Sequence, residues 1–253
     1  MNRGFIRVLW GTSGDNYEGG LRNNLRQDVK LLLNNKYEKD RNTVTFVFGS
    51  DNFKEFSDLG IKCVLVDSCP NVWIGREKMW RHKMEAFKLG SEVFNEFVFL
   101  DIDCLQIAPM PNDFWEVINE KMQIQASLVH LRRKWAYWRT ELKNRQVNAA
   151  YVYIRGKETA LELIKTWEDM EEKDTEEAAI QKYMDDLVGK VPSDAEYFIK
   201  FEPDHFSAKR QCAYNPTLWP KKFIRCFEHF HSHKEVGSLL KQIEVGVKPV
   251  WAC

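Results

Sequence analysis

An apolar run that ends in two closely spaced carboxylates constrains this chain more than any other stretch. The run is FVFL at 97–100, and Asp101 and Asp103 follow it directly. Four consecutive apolar residues bounded by charge predict a strand buried on both faces. Because side chains at i and i+2 of a strand share a face, the sequence predicts that both aspartates point the same way at the carboxyl end of this strand. In an open α/β sheet, ligands bind at that end.

The two carboxylates also indicate what could bind there. Adjacent carboxylates repel each other, which raises a pKa unless a cation lies between them, and a hard divalent ion with oxygen ligands removes the repulsion. Asp101 and Asp103 are therefore candidate metal ligands. The alternative interpretation is that they only solvate the exit from the strand into a loop.

Composition excludes several classes of protein. The 253 residues contain 37 basic and 37 acidic side chains, so no net charge favours a nucleic-acid partner. An apolar fraction of 44% is enough for a substantial core. No run approaches the ~18 apolar residues of a membrane span, and no signal peptide opens the chain. Six cysteines without a Cys-x-x-Cys pair indicate reduced thiols, so we expect a cytoplasmic protein.

Hydrophobic periodicity predicts an α/β fold with a mainly parallel central sheet flanked by helices. Strands are predicted at 5–10, 43–48, 63–66, 97–100, 123–129 and 147–156. Helices are predicted at 21–33, 52–59, 77–89, 113–119, 159–170 and 178–187. No repeat, proline-rich linker or low-complexity segment divides the chain, which predicts a single domain over residues 1–253.

Two segments before the aspartates are candidates for binding an anion. The glycine-containing loop at 11–20 follows the first strand, and its backbone N–H groups could approach a phosphate or a base, although a plain strand-to-helix turn explains it equally well. Arg81 and Lys83 lie on the helix that leads into the central strand. They could face phosphates, or they could be ordinary solvated cations.

The other concentration of polar chemistry lies near the carboxyl terminus. Phe223 to Phe227 reads as an apolar strand, and if the strand continues, His229, His231 and His233 share one face. Three alternating histidines are hard to explain as core residues.

Taken together, these segments resemble the nucleotide-sugar-dependent glycosyltransferases of the GT-A fold, including soluble enzymes of bacteria and large DNA viruses. The resemblance covers most of the chain and is strongest at the Asp-x-Asp and at the late histidine with Lys234. It implies a GT-A-like domain in which Asp101, Asp103 and His229 or His231 bind Mn²⁺ or Mg²⁺ against the diphosphate of a UDP-sugar. Of the two histidines we favour His229, because it lies at the end of the predicted apolar strand. Two carboxylates with one imidazole favour Mn²⁺ over Mg²⁺ or Ca²⁺.

The resemblance also implies roles for other residues. The nucleotide-sugar-binding residues would be Gly11, Thr12, Asp15, Tyr17, Arg81, Lys83, Asp101 and Lys234. The catalytic residues would be Asn148, Glu176 and Glu177. Asn-Ala-Ala at 148–150 and Glu-Glu at 176–177 depart from the usual Asn-Ala-Gly and Asp-Gln or Asp-Glu. Residues 1–106 would form the nucleotide-sugar half and residues 107–253 the acceptor half.

The expected activity is metal-dependent transfer of a hexosyl or pentosyl group to a hydroxyl acceptor, most simply a glycan. The loop from Trp10 to Tyr17 would read the uracil base. Two alternatives stay open at this point. A haloacid-dehalogenase-like phosphohydrolase also places two aspartates after an apolar strand, although Cys104-Leu105 stands here where that family has Gly-Thr. A non-catalytic module that binds sugar nucleotides is the other.

Overall fold

The computed structural model describes most of the chain. The described residues are 2–10, 20–39, 41–66, 76–110, 112, 114–119, 124–130, 145–170, 176–190, 211–212, 227–229 and 233–252. The strands are β1 (Arg3–Trp10), β2 (Thr43–Phe48), β3 (Cys63–Val66), β4 (Glu96–Leu100), β5 (Cys104–Gln106), β6 (Ile124–His130), β7 (Arg145–Arg155), β8 (Gln211–Cys212) and β9 (Phe227–His229). The helices are α1 (Gly20–Leu33), α2 (Lys36–Lys39), α3 (Ser50–Asp58), α4 (Arg76–Val93), α5 (Phe114–Asn119), α6 (Lys157–Glu168), α7 (Glu176–Lys190) and α8 (His233–Glu244).

The central sheet is mixed but mostly parallel. Its strands lie in the order β3-β2-β1-β4-β7-β6. Strand β1 is parallel to β2 and β4, and β2 is parallel to β3, whereas β7 is antiparallel to both β4 and β6. This architecture confirms the predicted α/β class. A second sheet in the described part of the chain has the order β5-β9-β8.

Alternation along β1 divides the core between the two faces of the sheet. Ile6 and Val8 pack in the cluster that also contains residues of α4, α6 and α7. Phe5 and Leu9 lie in two other clusters, and Leu9 packs with residues of α1, α3 and α8. Helices therefore cover both faces, as expected for a parallel sheet that is hydrophobic on both sides. None of the described helices is both long and apolar enough to cross a membrane.

Most of the predicted elements are present close to their predicted bounds. Strands 43–48 and 63–66 match β2 and β3 residue for residue, and the helix predicted at 21–33 is α1, which begins at Gly20. Two predictions about residues that follow strands are wrong. The central strand ends at Leu100 as predicted, but Asp101 to Asp103 do not continue its geometry, and His233 begins α8 instead of continuing a strand of histidines. Of the predicted strand 223–227, only Phe227 lies within the described residues, and it belongs to β9.

A buried carboxylate connects strands β1, β4 and β7. Glu96 is fully buried and accepts a hydrogen bond of 2.8 Å from the Tyr153 hydroxyl. The Arg3 guanidinium also pairs with Glu96, and it extends to the exposed Glu116 at 2.6 Å. Burial, followed by the hydrogen bond to Glu96, raises the pKa of the Tyr153 hydroxyl above its ordinary value, so it remains a donor. The buried charge of Glu96 therefore depends on Arg3 and Tyr153 for its partners.

We expect Tyr153→Phe to lower the free energy of unfolding by ~1.5–3 kcal/mol, the usual effect of removing a hydrogen bond to a buried charge. Tyr183→Phe is the matched control, because its hydroxyl donates at 2.8 Å to Glu162, which is exposed. Water can replace the Tyr183 hydroxyl at Glu162, so the control should lose less stability. Urea denaturation of both variants measures the difference, and equal losses would contradict this account.

Candidate functional site

The two aspartates lie on a turn at the carboxyl end of β4. The Cys104 N–H donates a hydrogen bond of 2.9 Å to the Asp101 carbonyl, which closes the segment 101–104. The Asp101 N–H donates to the Ala150 carbonyl of β7, also at 2.9 Å. Residues 101–103 are all partly exposed. The prediction that Asp101 and Asp103 share one face of a strand is therefore wrong, because the backbone turns at residues 101–104 and does not remain extended.

Lys83 pairs with two carboxylates and is not a solvated surface cation. Its Nζ lies 2.9 Å from Asp101 Oδ1 and 2.7 Å from Glu176 Oε1. The side chains of Lys83 and Glu176 are only 10% and 6% exposed, and that of Asp101 is 23% exposed. Helices α4 and α7 thus meet the end of β4 through one buried ammonium group. The structure brings three of the predicted site residues into direct contact.

The carboxylates keep the Lys83 ammonium group protonated. Burial alone would lower the pKa of Lys83, but the charges of Asp101 and Glu176 outweigh burial and raise it above its ordinary value. The ammonium also lies 5.6 Å from the centroid of the Phe99 ring, on which a cation is attracted by the ring face. Lys83 therefore carries a fixed positive charge at this edge of the sheet.

Glu176 and Glu177 form the first turn of α7, where the helix dipole favours negative charge. Glu176 Oε2 is buried and has no hydrogen-bond partner among the described groups. Glu177 Oε1 accepts a hydrogen bond of 3.3 Å from the Ala149 N–H of β7. Burial, and then the charge of Glu176, raises the pKa of Glu177 to about 7, although Lys83 favours its ionised form. Glu177 can therefore both hold and release a proton near neutral pH.

The backbone brings the predicted histidine next to the aspartates. Strand β9 pairs antiparallel with β5 so that the Cα of His229 is opposite the Cα of Cys104, the residue after Asp103. The side chain of His229 and the whole of His231 lie outside the described residues. Among the described side chains, no three His, Cys, Asp or Glu residues are grouped so as to hold a metal ion. Two carboxylates and an imidazole suit Mn²⁺ chemically, and the metal site stays a prediction.

The other predicted site residues are placed less completely. Arg81 is exposed on α4. Asn148 belongs to β7 and Lys234 to α8, but their side chains lie outside the described residues. The loop residues Gly11, Thr12, Asp15 and Tyr17 also lie outside them. Their proposed roles in binding and catalysis stay predictions.

Sequence reasoning missed a cluster of buried charges beneath the turn, formed by Arg7, Glu38 and Arg41 and called the arginine cluster below. Arg7, in β1, donates to the carbonyl oxygens of Asp101 and Cys104, the latter at 2.9 Å, and to Glu38 Oε1 at 2.8 Å. Arg41 also pairs with Glu38. Burial lowers the pKa of Arg7 to about 10, although Asp103 and Asp101 favour its charge.

The sequence did contain a signal for this cluster. Arg7 is the one charged residue in the apolar run between Phe5 and Trp10, which predicts that its side chain has a specific partner.

We expect Lys83→Met to lower the free energy of unfolding by about 3 kcal/mol, because it leaves the Glu176 carboxylate buried without a partner cation. Adding Glu176→Gln should restore part of this loss, since the double variant buries no unpaired charge. Lys182→Met is the control: its pair with Asp186 on α7, at 3.0 Å, joins side chains that are 49% and 46% exposed. Chemical denaturation should show almost no effect of that change. A Lys83→Met protein as stable as its parent would contradict the buried pairing.

We expect Glu177→Gln to change how stability depends on pH. The folded state favours the protonated carboxyl, since its pKa is raised from 4.5 to about 7. As the pH rises between these two values, the parent should therefore lose stability relative to the Gln variant, by up to ~3 kcal/mol, and the difference should then remain constant. Urea denaturation across this pH range measures it. A difference that does not vary with pH would show that the Glu177 carboxyl titrates alike in the folded and unfolded states.

No protein-family model and no curated protein matches this chain. The solved structures similar to it include a glycosyltransferase involved in the glycosylation of the major capsid of PBCV-1, at 12% identity and a TM-score of 0.46, covering 94% of this chain and 99% of that one. The galactosyltransferase LgtC, in complex with donor and acceptor sugar analogs, has 14% identity and a TM-score of 0.44, and the match covers 79% of this chain and 73% of that one. A cytidylyltransferase from Leptospira borgpetersenii has 10% identity and a TM-score of 0.44, and the match covers 100% of this chain and 99% of that one. Glycosyltransferases and a nucleotidyltransferase are thus both among the similar structures, and these distant likenesses assign no activity to this chain.

Proposed function

We propose that this protein is a metal-dependent glycosyltransferase that moves a sugar from a nucleotide sugar, most simply a UDP-sugar, to a hydroxyl group of a glycan. The observation that supports this proposal best is the position of the Asp101–Cys104 turn. It lies at the carboxyl end of a parallel strand, where open α/β sheets bind ligands, and the strand that carries His229 pairs directly with it. The sequence resemblance to GT-A glycosyltransferases supports the same reaction.

Transfer of a sugar leaves a nucleoside diphosphate, so the site must stabilise growing negative charge on phosphate oxygens. Asp101, Asp103 and His229 would hold Mn²⁺, which would act there as a Lewis acid toward the diphosphate. Lys83 supplies a second positive charge, and its raised pKa keeps it protonated throughout the neutral range. Arg81 and Lys234 complete the proposed set of cations.

Glu177 is the group in this site that is suited to proton transfer. Its carboxyl is partly buried, held by the Ala149 N–H, and has a pKa of about 7. A general base works best when its pKa is near the operating pH. In an inverting reaction Glu177 would accept the proton of the acceptor hydroxyl, and in a retaining reaction its carboxylate would stabilise the oxocarbenium-like sugar. The anomeric form of the product distinguishes these two roles.

The two proposed halves meet at this site. Lys83 and Asp101 belong to residues 1–106, which we propose bind the nucleotide sugar, whereas Glu176 and Glu177 belong to residues 107–253, which we propose bind the acceptor. The central sheet contains strands from both halves. Base recognition would come from the loop between Trp10 and Tyr17.

We expect Asp103→Asn to abolish Mn²⁺-dependent sugar transfer while leaving the circular dichroism spectrum and the metal-free melting temperature close to those of the parent, because Asp103 is partly exposed on a turn. Asp186→Asn on the exposed side of α7 is the control and should retain activity. The measurement is release of UDP from a panel of UDP-sugars with and without Mn²⁺. Full activity in excess chelator, or parental turnover by Asp103→Asn, would overturn the proposal.

The same assay separates the alternatives. Sugar transfer, or slow hydrolysis of the nucleotide sugar, supports a glycosyltransferase. Hydrolysis of an aryl phosphate without sugar transfer would support a phosphohydrolase in which Asp101 is the nucleophile. Saturable binding of nucleotide sugar with neither reaction would support a binding module.

A further inference from the structure

The arginine cluster fills a buried layer directly beneath the proposed metal-binding turn. Arg7 is fully buried, and the side chain of Arg41 is only 3% exposed. Between them lies one carboxylate, that of Glu38, whose side chain is 12% exposed. Two guanidinium groups thus pair directly with one carboxylate, and the nearby carboxylates of Asp103 and Asp101 add electrostatic attraction for Arg7.

A buried group of ionic side chains of this kind is a poor way to stabilise a fold. Burying an ionic group costs several kcal/mol, and well-packed apolar residues of similar volume are often as stable or more so. The rest of β1 from Phe5 to Trp10 is apolar, so an apolar residue at position 7 would continue the strand. Stability alone therefore does not explain why an arginine lies at position 7, and its contacts suggest a different role.

Those contacts are with both ends of the turn. Arg7 Nη1 donates to the carbonyl of Asp101, the first residue of the turn, and Nη2 donates at 2.9 Å to the carbonyl of Cys104, the last. The planar guanidinium presents several N–H donors in a fixed arrangement, so it can fix the separation and orientation of two acceptors. Asp103 lies between those two carbonyls. A single side chain thus holds the backbone from which both carboxylates project.

Arg41 connects the same cluster to the strand that carries His229. Its guanidinium lies 4.5 Å from the centroid of the Phe5 ring and 6.0 Å from that of Phe227, which is two residues before His229. Its Nη1 also donates at 3.3 Å to Gln106 Oε1 in β5. Strands β5 and β9, which pair Cys104 with His229, therefore lie against the arginine cluster.

We infer that Arg7 is a positioning residue that fixes the Asp101–Cys104 turn in the geometry needed to bind a divalent cation. This inference rests on the proposed function, because it concerns the same metal site. Groups that orient metal ligands typically change metal affinity by about 10–100-fold when they are removed. Arg7 would act in this way through the backbone, without contacting the metal itself.

The test measures Mn²⁺ binding to the full chain by isothermal titration calorimetry, without nucleotide sugar and below the unfolding transition of every variant. Arg7→Met should raise the Mn²⁺ dissociation constant at least ~10-fold. Arg3→Met is the matched control: Arg3 is also an arginine of β1 that pairs with a buried carboxylate, but it contacts Glu96 and Glu116 and not the turn. Arg3→Met should lose stability and keep the parental affinity for Mn²⁺.

If Arg7→Met does not fold, a second pair of variants tests the same inference. Arg7→Lys keeps a positive charge beside Glu38, but one ammonium group does not reproduce the two-pronged contact with both carbonyls, so its Mn²⁺ affinity should fall between those of the parent and Arg7→Met. Arg3→Lys is its control. Parental Mn²⁺ affinity in both Arg7 variants, or equal weakening in the Arg3 variants, would overturn the inference.

The outcomes also separate this inference from the proposed function. If the parent binds Mn²⁺, Asp103→Asn does not, and Arg7→Met binds as the parent does, the metal site stands and only the role of Arg7 is wrong. If the parent itself binds no Mn²⁺, or Asp103→Asn binds it equally well, the proposed metal site fails, and the role of Arg7 fails with it.

Discussion

Two buried cations on opposite sides of one backbone turn determine how the rest of this site is built. Lys83 approaches from helix α4 and pairs with the side chain of Asp101, whereas Arg7 approaches from strand β1 and binds the carbonyl of the same residue. A charge in a low-dielectric interior must have partners, because an unpaired one is very costly. Each cation therefore restricts the positions of the groups that pair with it. Glu176 pairs with Lys83, which connects α7 to the end of β4. Glu38 pairs with Arg7, which connects α2 to the same turn.

The parts of the fold that the sequence predicts well are those with a local signal. Strands β2 and β3 are short apolar runs bounded by polar residues, and periodicity alone identifies both ends of each. The same rule places β4, but the prediction that Asp101 and Asp103 share one face extended the strand geometry past Leu100. Arg7, from a strand remote in the sequence, donates hydrogen bonds to the carbonyls at both ends of the turn that follows β4. Periodicity carries no information about such a partner.

The site shows the same division between local and long-range information. From the sequence, Lys83 and Asp101 were predicted to bind the nucleotide sugar, and Glu176 and Glu177 to be catalytic. The structure shows that three of them share one ammonium-centred contact. Strand β5 escaped prediction for a related reason. Cys104–Gln106 is too short to show a period, and it is a strand because β9 pairs with it.

The buried charges at this edge of the sheet are costly for the stability of the fold. Lys83, Glu176 and Arg7 are all buried, and a buried ion pair is seldom more stable than apolar packing of similar volume. Glu176 Oε2 lacks a hydrogen-bond partner among the described groups, which adds to the cost. Glu96 is a contrasting case, since Arg3 and Tyr153 serve both of its carboxylate oxygens at the opposite end of β4. Incomplete pairing thus lies at the carboxyl edge, where a ligand could complete it.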